Sequence, residues 1–141
     1  MATQSDVAEL LPNDAWALLE RNPKAVLVDV RTEPEWGYVG LPDLGALGKQ
    51  PVRLSWQVYP AMTVDPGFAD RLAAAGVTPD HHVMFLCRSG VRSLAAARLM
   101  TERGYRHCYN ITNGFEGPHD GTRHRGTVAG WKHDGLPWVQ G

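Results

Sequence analysis

The sequence predicts an α/β fold in which short buried strands alternate with helix-forming segments. Three observations predict it. Ala25-Val26-Leu27-Val28-Asp29-Val30 is continuous in apolar character rather than alternating, as a central parallel strand covered on both faces reads. His82-Val83-Met84-Phe85-Leu86 is a second short apolar run, bounded by the polar Pro79-Asp80-His81. Residues 93–103 are rich in strong helix formers and are stopped by Gly104 at a C′ position.

Taken in order, residues 7–11 read as a short edge strand. A helix follows over 12–21: Pro12 suits a first-turn position, Asp14 lies near the positive end, and Trp16, Leu18 and Leu19 supply an apolar stripe. Asn22-Pro23 ends it. After the 25–30 strand, residues 40–51 are rich in glycine and proline and read as a loop, and Val52-Arg53-Leu54 reads as a short alternating strand. Trp56, Tyr59, Pro60 and Met62 fall in a connection. Such aromatics either line a mouth that receives a partner or pack beneath the loop, and packing is the expectation. Residues 68–75 form a short helix, with Asp65 or Pro66 near its start and Gly76 at its end. Residues 105–111 read as a further strand. The polar, basic and turn-rich residues 118–126 form an exposed loop, which would attract anions if it lay over a site but is expected to be merely solvated.

With 141 residues, 43% hydrophobic and 21% charged, the chain suits one globular domain with a proper core, placed at residues 7–139 after a short tail at 1–6. A net charge of −1 gives no electrostatic reason for a nucleic-acid or membrane partner. The N-terminus lacks the basic and apolar regions of a signal peptide, and no apolar run approaches transmembrane length. Cys87 and Cys108 form no Cys-x-x-Cys and suggest no disulfide scaffold, so a reducing cytoplasm is the expected location. Cys108 reads as a small buried hydrophobe rather than a second relay thiol. His81, His82 and His107 show no metal-ligand spacing, and no metal is expected.

The candidate site is Leu86-Cys87-Arg88-Ser89-Gly90-Val91-Arg92-Ser93-Leu94. Cys87 stands where a strand ends, and the loop after it feeds a helix N-terminus. Unpaired backbone N–H groups point out of a helix start, and the dipole adds roughly half a positive charge there. Arg88 and Arg92 add two full charges, so an anion in the loop is stabilised and Cys87 is expected to be mostly thiolate near neutral pH. An inert buried thiol would need neither the flanking glycine nor the arginines. From Cys87 to Arg92 the pattern is cysteine, four residues, arginine. Tyrosine-type and dual-specificity phosphatases, which this loop superficially resembles, carry five. One residue fewer tightens the cradle of amides, leaving room for an extra sulfur more readily than for a phosphate.

Cys-Arg-Ser-Gly-Val-Arg-Ser after an apolar strand resembles the active-site loop of the rhodanese family of sulfurtransferases. Asp29-Val30-Arg31 with Glu35-Trp36, the turn Asn113-Gly114-Phe115-Glu116-Gly117, and Trp131 followed by Gly135-Leu136-Pro137 extend the likeness over roughly residues 7–139. The resemblance implies a doubly wound, mainly parallel five-stranded sheet with helices on both faces. It also implies a cysteine that accepts a sulfane sulfur, forms a persulfide and passes the sulfur on. Asp29 and Arg31, at the end of a strand, are expected to brace the Cys87 loop, although a plain ion pair is the simpler reading of either taken alone. The sequence departs from the family at Gly40, which stands where many rhodaneses have histidine.

The expected mechanism is double displacement. Cys87 attacks the outer sulfur of thiosulfate or a similar small anionic donor, Arg88 and Arg92 attract the anion, and the amides of Arg88, Ser89, Gly90, Val91, Arg92 and Ser93 stabilise the persulfide. Cyanide, a low-molecular-weight thiol or a protein cysteine then accepts the sulfur, with no cofactor. Two rivals stay open: a cysteine phosphatase or arsenate reductase, and a non-enzymatic docking module. The four-residue spacing argues against the first, and the retained Cys87 and Arg92 against the second.

Overall fold

Both continuous apolar runs lie inside one five-stranded sheet of order Ala8–Leu10, His107–Ile111, His82–Leu86, Ala25–Asp29, Val52–Arg53, and every neighbouring pair in it is parallel. The structure, a computed structural model, describes residues 7–58, 61, 63–118, 121–122, 124–125 and 129–140. In chain order the elements are β1 (Ala8–Leu10), α1 (Pro12–Arg21), β2 (Ala25–Asp29), α2 (Glu33–Tyr38), β3 (Leu41–Pro42), a 3₁₀ turn (Gly45–Leu47), β4 (Val52–Arg53), β5 (Gln57–Val58), β6 (Thr63–Val64), α3 (Phe68–Ala74), β7 (His82–Leu86), α4 (Val91–Glu102), β8 (His107–Ile111) and β9 (Trp138–Val139). β3 pairs antiparallel with β9, and β5 with β6. The expected doubly wound α/β sheet is therefore what the chain builds.

Alternation along the strands sorts side chains to two covered faces. Val28, Val30, Val83, Phe85, Cys87 and Cys108 pack against Phe68 and Leu72 of α3 and Ala96, Ala97 and Met100 of α4. On the other face Ala25, Leu27, Met84, Leu86 and Ile111 meet Ala15, Leu18 and Leu19 of α1, with Phe115 and the fully buried Trp131. Strand order turns back between β2 and β7, so the crevice at their C-terminal ends is the place where such sheets bind ligands. Cys87 follows β7 there.

Several boundaries move. The helix expected at 93–103 begins two residues earlier at Val91, and Gly104 sits past its end with φ +97°. The connection at 56–62 holds the first strand of the β5–β6 hairpin. Trp56 packs edge-on against Phe68 at 5.1 Å, the ordinary core contact expected of it. Tyr59, Pro60 and Met62 lie outside the described residues, as do several of the 118–126 loop. Residues 33–38, which the sequence reading leaves unassigned, form α2.

Lys49 secures the turn between α1 and β2. Its ammonium donates to the carbonyls of Leu19, Asn22 and Ala25 at 2.8–2.9 Å, capping the negative end of α1. Lys49→Met leaves three carbonyls without that donor. It is expected to lower stability by about 2 kcal/mol, read from the urea unfolding midpoint.

Candidate active site

Cys87 sits at the floor of an open pocket of about 580 Å³, lined by Glu35, Val39, Gln57, Cys87, Arg88, Ser89, Val91, Arg92 and Glu116. Although only 1% exposed, the residue lines this pocket. The Gly90 N–H donates to Sγ at 3.1 Å, and the Ser93 hydroxyl lies 3.2 Å from it. Leu94 makes the first backbone bond of α4, to the Gly90 carbonyl, so the N–H groups of Val91, Arg92 and Ser93 have no partner within the helix.

The loop is clamped from behind. Phe115 N–H donates to the Cys87 carbonyl, and the Glu116 and Gly117 N–H groups both donate to that of Arg88. This approach requires glycine at 114, where φ is +60° and a Cβ would stand 2.4 Å from the Cys87 oxygen.

Among the residues expected at the site, Arg88, Ser89, Val91 and Arg92 line the pocket. Gly90 serves through its N–H. Ser93 is fully buried and lies beneath the sulfur rather than in the pocket wall. Arg92 differs from expectation in its pairing: its Nη1 and Nη2 bind Glu35 Oε1 and Oε2 at 2.7 and 2.9 Å. Much of its charge is therefore answered within the protein, whereas Arg88 is exposed and makes no ion pair among the described residues.

Glu35 is the functional residue that sequence reasoning passes over, treating it only as part of a family likeness. It also accepts the Thr32 N–H and hydroxyl at 3.1 and 3.0 Å, so one carboxylate gathers four donors. Burial by itself would raise the Glu35 carboxyl, but the Arg92 bonds and charge and the Thr32 bonds outweigh it and hold it down to about 2. The signal was Thr32-Glu33-Pro34-Glu35: a capping box with proline in the first turn.

The expectation that Asp29 and Arg31 brace the loop is corrected. Asp29 pairs in register with Leu86, so it shares the face of Leu86, and Cys87 turns to the opposite one. Asp29 and Arg31 bind one another, fully buried, at 2.6 and 2.8 Å, and Arg31 also donates to the Gly40 carbonyl. Neither hydrogen-bonds the Cys87 loop among the described residues. Their links to it are the charge of Asp29, which acts on Arg92, and Phe115, over whose ring the Arg31 guanidinium lies at 4.3 Å.

Gly40 also has a physical reason. Its φ is +114°, and a Cβ there would come within 2.7 Å of the Val139 carbonyl and 2.9 Å of the Trp138 ring. The C-terminal strand fills the space in which a side chain would stand. Cys108 is 2% exposed, and burial pushes its thiol up, as suits a core residue. Among the described residues no cluster of His, Cys, Asp or Glu could hold a metal ion, and no helix is long and apolar enough to cross a membrane.

Residues 9–141 match a family model described as the STR4 middle domain. The crystal structure of Rv0390 from M. tuberculosis superposes with a TM-score of 0.86 at 44% identity, covering 96% of this chain and 98% of that one. The uncharacterized protein RC0915 of Rickettsia conorii is 39% identical over 133 residues, 94% of this chain and 97% of its own length. The chloroplastic rhodanese-like domain-containing protein 4 of Arabidopsis thaliana is 27% identical over 90% of this chain and 24% of its own. The polysulfide-sulfur transferase of Wolinella succinogenes shares the fold, with a TM-score of 0.64 at 24% identity over 98% of this chain and 82% of that one.

Proposed function

Because the chain belongs to the rhodanese-like family, in the group of the STR4 middle domain, we propose that it is a sulfurtransferase working through a persulfide on Cys87. The observation that carries this reading is the seat of Sγ: at the pocket floor, at the start of α4, with the Gly90 N–H aimed at it. In the first half-reaction the Cys87 thiolate attacks the outer sulfur of thiosulfate. An S–S bond forms on Cys87 and sulfite leaves with the electron pair of the broken bond. Arg88 guides the anion in, and the N–H groups at the helix start stabilise the terminal persulfide sulfur. In the second half-reaction a thiolate or cyanide attacks that sulfur, and Cys87 leaves as thiolate.

The pocket is far larger than one sulfur atom requires, and Val91 stands 77% exposed on its rim. Both features favour an acceptor bulkier than cyanide, a low-molecular-weight or protein thiol. No resident cofactor enters either step. The chemistry is that of a reducing compartment, in keeping with a cytoplasmic protein.

Incubating the reduced protein with thiosulfate, followed by intact mass and peptide mapping, tests the reading. The expected result is a gain of one sulfur on Cys87 that disappears when cyanide or a thiol is added. Uptake from a persulfide or polysulfide but not from thiosulfate would keep the reaction and change the donor. No uptake from any of the three, with Cys87 still alkylatable, would overturn it; turnover of an aryl phosphate or arsenate would then identify the rival chemistry.

A further inference from the structure

The Cys87 pocket is lined by four side chains of fixed charge: Glu35, Arg88, Arg92 and Glu116. Glu35 and Arg92 bind one another at 2.7 Å and neutralise each other. Arg88, exposed, and Glu116, half-buried, make no ion pair or side-chain hydrogen bond among the described residues. Lys132 feels the charge of Glu116, but its ammonium lies over the Trp138 ring at 3.9 Å and the Phe115 ring at 5.3 Å, and it does not line the pocket.

The backbones of Arg88 and Glu116 are nonetheless neighbours. The Glu116 N–H donates to the Arg88 carbonyl at 3.0 Å, and the Phe115 N–H to the Cys87 carbonyl at 2.9 Å. Two opposite charges therefore stand beside the nucleophile, one on the loop after β7 and one on the turn after β8, and they line the pocket without closing on each other. Main-chain bonds hold both residues in place, so each side chain is free to meet a ligand.

The pattern of charge decides what the pocket receives. A simple anion is attracted by Arg88 and repelled by Glu116, and a simple cation meets the reverse. A molecule carrying both charges satisfies both side chains at once. Its carboxylate matches the guanidinium fork, and its ammonium donates to the Glu116 carboxylate.

We propose that Arg88 and Glu116 together select a sulfur acceptor that bears a carboxylate and an ammonium close to its thiol, a free α-amino-acid thiol, with Glu116 the specificity-determining residue for the ammonium. The inference rests on Cys87 as the persulfide carrier and narrows its acceptor. The acceptor thiol gives its proton to solvent, and its thiolate attacks the outer sulfur of the Cys87 persulfide. A new S–S bond forms on the acceptor, the bond to Cys87 breaks with its electron pair left on Sγ, and an amino-acid persulfide departs. Arg88 serves two anions in turn, first the donor and then, once sulfite has left, the acceptor carboxylate.

The test begins by loading the protein from thiosulfate or inorganic polysulfide and confirming one added sulfur by intact mass. If none is taken up, the persulfide reading falls and this inference with it. The loaded protein is then discharged by cysteine, by N-acetylcysteine, which lacks the ammonium, and by cysteamine, which lacks the carboxylate. Comparing ratios of discharge rates between proteins cancels the intrinsic reactivity of each thiol. In Glu116→Gln the cysteine to N-acetylcysteine ratio is expected to fall about fivefold while the cysteine to cysteamine ratio holds. In Arg88→Gln the pattern reverses. A ratio that does not fall in its own variant, or that falls equally in both, overturns the proposal and leaves the persulfide standing. The parent protein alone supplies a second reading that needs neither variant nor sulfur transfer. S-methylcysteine should shield Cys87 from iodoacetamide at about fivefold lower concentration than N-acetyl-S-methylcysteine, and equal protection overturns the proposal.

Discussion

Cys87→Ala is expected to fold like the parent and to transfer sulfur at least about 10³-fold more slowly, whichever donor and acceptor serve. Covalent relay through Sγ has no substitute in this molecule. Cys108, the other cysteine, is on β8 beneath α4, 2% exposed, with its thiol pushed up by burial, and it does not line the pocket. The structural cost of removing Sγ is modest, about 1 kcal/mol, because one small buried atom group is lost and the neighbouring Val28, Val30 and Phe85 remain. Sulfur uptake by mass spectrometry, turnover and a urea midpoint on the same preparation separate the two effects. Cys108→Ala is the matching control and keeps transfer. Substantial turnover in Cys87→Ala would sink the persulfide mechanism.

What the sequence reveals and what it conceals divide along physical lines. Strands β2 and β7 were legible because a strand buried on both faces must be apolar throughout, and α1 because Pro12 and Asn22-Pro23 mark its ends. The nucleophile loop was legible because its charges, glycine and cysteine are adjacent in the chain. Pairings between distant segments were not. Nothing local tells that Arg92 meets Glu35 across 57 positions, or that Asn110 meets Glu9 across 101. Asp29 shows the opposite error: it lies at the right end of the sheet, but the parity of its register with Leu86 puts it on the wrong face for Cys87. Closeness in topology is not contact. Helix α2 is the one omission that local rules could have prevented, since Thr32 and Glu35 form a capping box, and Gly37 merely weakens the helical pattern after it.

Breaking the bond between that helix and the loop has the second largest expected effect. Glu35→Gln is expected to lower stability by about 2 kcal/mol and sulfur transfer by about 10- to 100-fold. The amide keeps the shape but presents NH₂ to one of four donors and removes the carboxylate charge bound directly to the half-buried Arg92 guanidinium. Arg92 is the second residue of α4, so its release loosens the turn whose N–H groups face the sulfur. The pair also writes a pH signature. The Glu35 carboxyl is held at about 2 in the folded protein against an ordinary value of 4.5. A lowered folded value contributes stability that is whole above about 4.5 and drains away as pH falls toward 2. The parent should therefore lose about 2 kcal/mol more than Glu35→Gln between pH 5 and pH 2, after allowing for screening of a side chain 19% exposed. Urea titrations of both proteins across that window measure the difference. Parallel curves would show that the bidentate contact contributes geometry to the loop but little free energy. A gap that closes as pH falls, together with lost transfer at neutral pH, would identify Glu35 as the residue that holds the start of α4 around the sulfur.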